Sequence, residues 1–290
     1  MRDPRVALRA AGLRPKRSFG QNFLVAEPIA RGVARACVPD AEVGQAGVVE
    51  IGAGTGALTR FLAERAKTVV AIERDRDLVP LLAQELADTG VRVVEADAQT
   101  VDLGELLGDG ASGPRVLCGN LPYSITGVLL RRAVEHAGAL ERAVFMVQAE
   151  VAERLCADPG TKAWGALSIF VRAAFDVRRV LRVPPGAFHP PPDVTSAVVE
   201  LRPLRPPRAL ETERFRALVR RAFEARRKML RNAWSSLAPD AASLESAAER
   251  AGVSLDARGE TLQIEDFARM AAALGDEGEA PPPAPASGRG

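Results

Sequence analysis

The sequence predicts an α/β protein, a doubly wound parallel sheet followed by a smaller C-terminal helical domain. Three observations carry this. Between residues 48 and 147, short β-branched runs alternate with segments of helical leucine spacing. A glycine-rich turn, Gly52-Ala53-Gly54-Thr55-Gly56, separates the first of these strands from the helical pattern after it. Beyond about residue 210 the β signal fades and helical periodicity takes over.

The elements follow in order. Val48 to Ile51 reads as a short strand entering the glycine turn, and a helical pattern runs from Ala57 to Ala66. Thr68 to Ile72 is β-rich and ends at Glu73. Leu78, Leu81, Leu82 and Leu86 then repeat at helical spacing. Val91 to Val94 is a third strand, closed by Glu95-Ala96-Asp97, and Arg115 to Cys118 is a fourth, leading into Gly119-Asn120. A helix from Ile125 to His136 and a strand from Ala143 to Val147 complete the rhythm. Right-handed crossovers place the strand C-termini along one edge, where doubly wound folds bind ligands.

After about residue 175 the character changes. Val177–Val183 and Val194–Leu201 read as two strands joined through Pro184-Pro185-Gly186-Ala187-Phe188-His189-Pro190-Pro191-Pro192, whose three final prolines hold an extended backbone without donors. A boundary is expected at Pro203, Pro206 and Pro207. The predicted domains are therefore residues 1–206, 207–275 and a disordered tail, 276–290, rich in Pro, Ala, Gly and Glu. A helix from Thr212 to Leu237 is expected to bring Val219, Phe223, Leu230 and Trp234 onto one face. Arg220, Arg227, Lys228 and Arg231 would lie on its flank.

With 290 residues the chain can bury one large core and a smaller one. No run of about eighteen apolar residues suggests a membrane span, and no apolar segment follows the arginine-rich N-terminus as in a signal peptide. Cys37, Cys118 and Cys156 lack metal or disulfide spacing, and His136 and His189 stand apart from any carboxylate pattern. Buried or neutral thiols in a reducing cytoplasm, and no metal, are expected. The net charge of +2 hides two concentrations: eight basic against two acidic residues over 1–35, and eleven against three over 201–231. These are the footprint of a polyanion, although a solvated basic surface would give the same count.

Four features carry chemistry. Gly52 and Gly54 permit a tight turn and close approach of a ligand, with helix-start amides nearby. Counted to Ala57, the turn also satisfies a dinucleotide fingerprint, so alone it fits a nicotinamide enzyme as well as a methyltransferase. Glu73 is placed to accept from ribose hydroxyls with either cofactor. Asp97 is placed to accept from an adenine amino group, or is merely a solvent-exposed loop acid. Asn120-Leu121-Pro122-Tyr123 lies at the same sheet edge. The N6 nitrogen of adenine is a poor nucleophile because its lone pair is delocalised into the ring. An amide oxygen and a backbone carbonyl, each accepting one N6 hydrogen, favour a pyramidal nitrogen. Pro122 fixes the turn that aims the preceding carbonyl, and Tyr123 offers a flat face for the base.

Taken with Phe19-Gly20-Gln21-Asn22-Phe23-Leu24, the proline-rich segment around Phe188 and Arg226-Arg227-Lys228-Met229-Leu230-Arg231-Asn232, these motifs resemble those of the ribosomal RNA adenine dimethyltransferases. The resemblance extends from about Arg14 to Leu274 and is greatest to the bacterial small-subunit branch. It implies a Rossmann-like class I methyltransferase domain and S-adenosyl-L-methionine as cofactor, contacted by Asn22, Leu24, Gly52, Glu73, Asp97 and Asn120. It implies that Tyr123 and Phe188 sandwich the target base. His189 departs from the family, which more often has a small or polar residue there. The implied reaction is dimethylation of N6 on two adjacent adenines in the 3′-terminal hairpin loop of small-subunit rRNA. An immature 30S particle is the expected partner, for a cytoplasmic monomer. Three other readings stand beside it: a large-subunit rRNA methyltransferase conferring antibiotic resistance, a mainly non-catalytic assembly factor, and a DNA adenine methyltransferase.

Overall fold

A computed structural model describes residues 3–108, 113–224 and 226–275. The chain begins with helix α1 (Pro4–Ala10), a two-residue strand β1 (Phe23–Leu24) and helix α2 (Glu27–Cys37). The sequence reading expected neither helix. In α2 a proline stands in the first turn, Glu27 complements the N-terminus and Arg35 the C-terminus, and Ala30, Val33, Ala34 and Cys37 form the buried stripe.

The sheet grows outward from β2 (Gly47–Ile51), all five residues of which are buried, as a strand covered on both faces requires. It pairs in parallel with β3 (Thr68–Glu73) on one side and β5 (Arg115–Asn120) on the other. Strand β4 (Arg92–Glu95) extends the first side and β6 (Arg142–Gln148) the second, both in parallel. Helices α3 (Thr59–Ala63), α4 (Val79–Glu85), α5 (Leu103–Gly108) and α6 (Thr126–Glu135) make the crossovers, and α7 (Ala149–Leu155) follows β6.

The chain reverses its direction of winding between β2 and β5. That topological switch point opens a crevice at the strand C-termini, between the glycine turn and Asn120. The expected later strands are present as β7 (Phe175–Val183) and β9 (Ser196–Pro203). They join the same sheet antiparallel, giving the order β4-β3-β2-β5-β6-β9-β7. Between them β8 (Phe188–His189) pairs instead with β1, Phe188 opposite Leu24.

The backbone divides into two compact units, Met1–Cys156 with Phe175–Pro203, and Ala157–Ala174 with Leu204–Gly290. The helical unit therefore includes residues 157–174, which the sequence reading placed in the first domain. Its helices are α8 (Ala166–Ala174), α9 (Glu213–Glu224), α10 (Leu230–Ala233), α11 (Ala241–Ala251) and α12 (Ile264–Gly275). Trp164 and Trp234 are buried in its core, and each satisfies its indole N–H on a backbone carbonyl, of Leu262 at 3.1 Å and Leu218 at 2.9 Å. Trp234 meets Phe267 edge-on, centroids 6.0 Å apart.

The single helix expected over 212–237 is interrupted. The amides of Leu230 and Arg231 donate to Ala257 and Leu255 carbonyls, each at 2.9 Å, instead of continuing the helical ladder. Val219, Leu230 and Trp234 still share one core, but from α9, from α10 and from the residue that caps α10. The tail expected to be disordered, 276–290, lies outside the described residues. Among the described residues no helix is long and apolar enough to cross a membrane.

Candidate functional site

A cavity opens at the switch point, wholly within the sheet-containing unit. Its walls are the segment Ser18–Leu24, the glycine turn, the ends of β3 and β4, and Asn120–Ile125. All the predicted cofactor residues line it: Asn22, Leu24, Gly52, Gly54, Glu73, Asp97 and Asn120.

The glycine turn supplies shape. Gly52 and Gly54 adopt left-handed φ of 71° and 59°, and a Cβ on Gly54 would lie 3.1 Å from the Phe23 ring. Most of its amides are committed within the protein. Those of Gly52 and Ala53 donate to the Ile72 carbonyl, and that of Gly54 donates to Glu73 Oε2 at 2.8 Å. The Gly56 amide donates to the Ala53 carbonyl at 2.9 Å, and α3 begins at Thr59.

Glu73 is buried, and its other oxygen accepts from the Asp75 amide at 2.7 Å. Burial pushes its carboxyl above the ordinary value, while the Asp75 and Gly54 amides draw it back. Each oxygen keeps a second lone pair, so an oriented carboxylate remains able to accept from hydroxyl groups. Asp97 accepts from the Gln99 amide at 2.9 Å and lies 3.4 Å from the Arg74 guanidinium, which holds it at the end of β4.

Asn120 ends β5, and its Nδ2 donates to the Asn22 carbonyl at 2.9 Å. This bond assigns the two ends of the amide: nitrogen toward Asn22, oxygen left as an acceptor at the cavity. Leu121 is buried and its amide donates to the Met146 carbonyl at 3.0 Å. The Pro122 carbonyl accepts from the Ile125 amide at 3.1 Å and the Thr126 hydroxyl at 3.0 Å, fixing the turn. Tyr123 is half-buried, with its hydroxyl 2.7 Å from Ser196 Oγ on β9. Burial raises its pKa, partly offset by Ser196, so the phenol is neutral.

Phe188 is not among the residues that line the cavity. It is 4% exposed and packs in the core with Leu24, Val183 and Val198. The β1–β8 pairing explains this, since it fixes the backbone of Phe188 beside Leu24.

In the helical unit, Arg220 is exposed on α9, and Arg227 and Lys228 are exposed in the turn after it. Arg231, on α10, is engaged by Asp256, with Nη2 at 2.6 Å and Nε at 2.9 Å from Oδ1. The four cations therefore do not share one helix flank, and one of them is already paired.

Residues missed in the sequence include Glu50 and Thr55. Both line the cavity, and Glu50 Oε2 and Thr55 Oγ1 are buried without a hydrogen-bond partner. Burial pushes the Glu50 carboxyl up to about 7, with Glu73 adding to the rise. The signal was present: Glu50 is a charged residue inside an otherwise apolar strand. Such orphaned buried atoms fit a ligand with cationic and hydroxyl groups. Among the described residues no group of three His, Cys, Asp or Glu side chains is arranged to hold a metal ion.

The sequence model of the family described as ribosomal RNA adenine dimethylase matches residues 12–276. A relative from Anaeromyxobacter sp. (strain K), named ribosomal RNA small subunit methyltransferase A, is 44% identical over 283 residues, 94% of this chain and 98% of its own. One of the same name from Myxococcus xanthus is 42% identical, covering 95% and 96%. Among solved structures, a dimethyladenosine transferase from Plasmodium falciparum is similar with a TM-score of 0.72 and 25% identity, over 86% of this chain and 95% of that one. The 23S rRNA methyltransferase ErmE is similar with a TM-score of 0.64 and 28% identity, over 88% and 100%.

Proposed function

The chain belongs to the ribosomal RNA adenine dimethylase family and is a class I methyltransferase using S-adenosyl-L-methionine, and on that premise we propose that it dimethylates N6 of two adjacent adenines in the 3′-terminal hairpin loop of small-subunit rRNA. The proposed setting is an immature small-subunit particle in the cytoplasm, met by a monomer.

The observation that carries this reading is the tethered amide of Asn120. With Nδ2 held by the Asn22 carbonyl, Oδ1 accepts one N6 hydrogen. The turn fixed at Pro122 directs the Leu121 carbonyl to accept the other. Two acceptors favour a pyramidal nitrogen with its lone pair available. When bound, S-adenosylmethionine supplies an electrophilic methyl group on its sulfonium. Glu73 and Asp97 are the acceptors for its ribose hydroxyls and adenine amino group, and Glu50 offers negative charge to its cationic end. Tyr123 gives the base a neutral ring to stack on. The methylated amine is a strong enough acid to lose its proton to water, so no side-chain base is assigned. Loop adenines splay out at low cost, which suits them as substrates, and Arg220, Arg227 and Lys228 are proposed to hold RNA phosphates.

The test is methyl transfer by the full chain onto unmodified small and large subunits and a DNA duplex, with the modified nucleotides mapped. Two adjacent dimethyladenines in the small-subunit 3′ hairpin are expected. Methylation confined to large-subunit rRNA or to DNA would overturn the reading.

A further inference from the structure

The segment forming one wall of the cofactor cavity, Ser18–Leu24, is held at its two ends by different means. At the far end β1 pairs with β8, and the Val25 amide donates to the Ala187 carbonyl at 2.8 Å. At the near end polar side chains take over. Lys16 Nζ lies 2.6 Å from Asp75 Oδ1 and 2.5 Å from Asp77 Oδ2. Gln21 Nε2 donates to Asp75 Oδ2 at 2.8 Å, and Gln21 Oε1 accepts from the Lys16 amide at 2.7 Å.

Asp75 is the centre of this arrangement. Its side chain is 3% exposed. Burial pushes its carboxyl up, but Lys16 and Gln21 outweigh burial and leave it below its ordinary value. Its amide donates to Glu73 Oε1, and Glu73 Oε2 takes the Gly54 amide. One line of hydrogen bonds thus runs from the N-terminal segment through Asp75 and Glu73 to the glycine turn. Lys16 Nζ and the Arg74 guanidinium carbon lie over the ring of Phe19, a cavity residue, at 5.5 and 5.4 Å from its centroid.

We infer that Lys16, Gln21, Asp75 and Asp77 form a clasp that closes residues 16–24 as a strap over the cofactor, with Lys16 a positioning residue that sets cofactor affinity. The clasp lets go without unfolding the sheet, because Lys16 is partly exposed and water competes for its ammonium group. Opening gives up the Lys16 ion pair and the Gln21 hydrogen bond to Asp75, so the closed strap is favoured. Closure keeps Asn22 and Leu24 on the cavity wall and keeps the Asn22 carbonyl on Asn120 Nδ2. Lys16 touches neither the cavity nor, on this reading, any substrate. The inference rests on the cofactor alone and is indifferent to which RNA is methylated.

The experiment measures equilibrium binding and dissociation of S-adenosylhomocysteine by the full chain, without RNA. Lys16→Met is expected to weaken binding about tenfold by lowering the closed population, mainly through faster dissociation. Lys16→Arg is expected to restore most of it. Asp77→Asn should weaken binding by a smaller factor, with little further loss when combined with Lys16→Met. Saturating ligand should protect the Arg17–Ser18 bond from trypsin in the wild type and much less in Lys16→Met. In turnover, the KM for cofactor should rise while the KM for RNA stays within twofold. Unchanged ligand affinity in both Lys16→Met and Asp77→Asn would overturn the inference. So would a loss that Lys16→Arg does not restore, or one that merely tracks a fall in thermal stability.

Discussion

Glu50 gives the most quantitative prediction. Its carboxyl is 2% exposed on the central strand, and Oε2 has no partner. Thr59 approaches it from α3, Glu73 from β3, and Cys118 stands beside it on β5. None of these is a cation. Burial therefore moves its pKa from 4.5 to about 7. Because the folded pKa is raised, the native chain holds a proton that the unfolded chain releases. The associated stability is fully present below pH 4.5 and is lost as pH rises through about 7. That interval is worth about 3 kcal/mol. The perturbation is Glu50→Gln, which keeps the shape and cannot ionise. The assay is urea unfolding of the ligand-free chain at pH 5 to 8. Far-UV circular dichroism is the proper probe, because Trp164 and Trp234 both belong to the helical unit and report on it. The difference in stability between variant and wild type should shift by about 3 kcal/mol in favour of the variant across that range. Saturating S-adenosylmethionine should shrink the shift, since a cation beside Glu50 favours its ionised form. Parallel profiles for the two ligand-free proteins would refute the reasoning.

Three further predictions concern the site and the RNA. Asn120→Ala should lower the single-turnover rate on an unmodified substrate by about 100-fold, the loss of one positioned polar contact; a near wild-type rate would remove Asn120 from catalysis. Tyr123→Ala should weaken binding of target RNA by ~1–3 kcal/mol, whereas Tyr123→Phe keeps the ring, loses only the Ser196 bond and should stay within ~1 kcal/mol; equal losses would mean that the hydroxyl matters more than the face. Arg227→Gln and Lys228→Gln should each reduce the salt dependence of RNA binding by roughly 0.7–0.9 in log–log slope, and Arg231→Gln by less, because Asp256 already engages that guanidinium; equal slopes for all three would show that the pairing does not persist on RNA.

The legible parts of the site were those whose chemistry depends on chain-local order. Glycines between a strand and a helix, an acid ending the next strand, and Asn-Leu-Pro-Tyr ending another can be read without three-dimensional information. The parallel rhythm then places all three at one sheet edge. Glu50 was less legible because its role depends on burial, and a charge in an apolar run looks like any other until its neighbours are known. Asp75 was invisible for a related reason: its partners Lys16 and Gln21 lie 59 and 54 residues away. Phe188 shows a limit of the opposite kind. Its motif was recognised, but pairing of β8 with β1 buries the ring, and no property of the residues 184–192 alone announces that pairing.

Fold class, family and cofactor could be read from the residues alone, because each is encoded in local patterns of residue type and spacing. How those parts are held depends on the folded chain. It broke the expected helix over 212–237 by giving the Leu230 and Arg231 amides to a distant segment. It placed residues 157–174 in the helical unit. It also turned the Asn120 amide so that its oxygen is the acceptor at the cavity. Each of these outcomes depends on hydrogen bonds or packing between residues far apart in the chain. Local patterns state which donors, acceptors and apolar groups a segment carries, and the fold alone settles which partner satisfies each one.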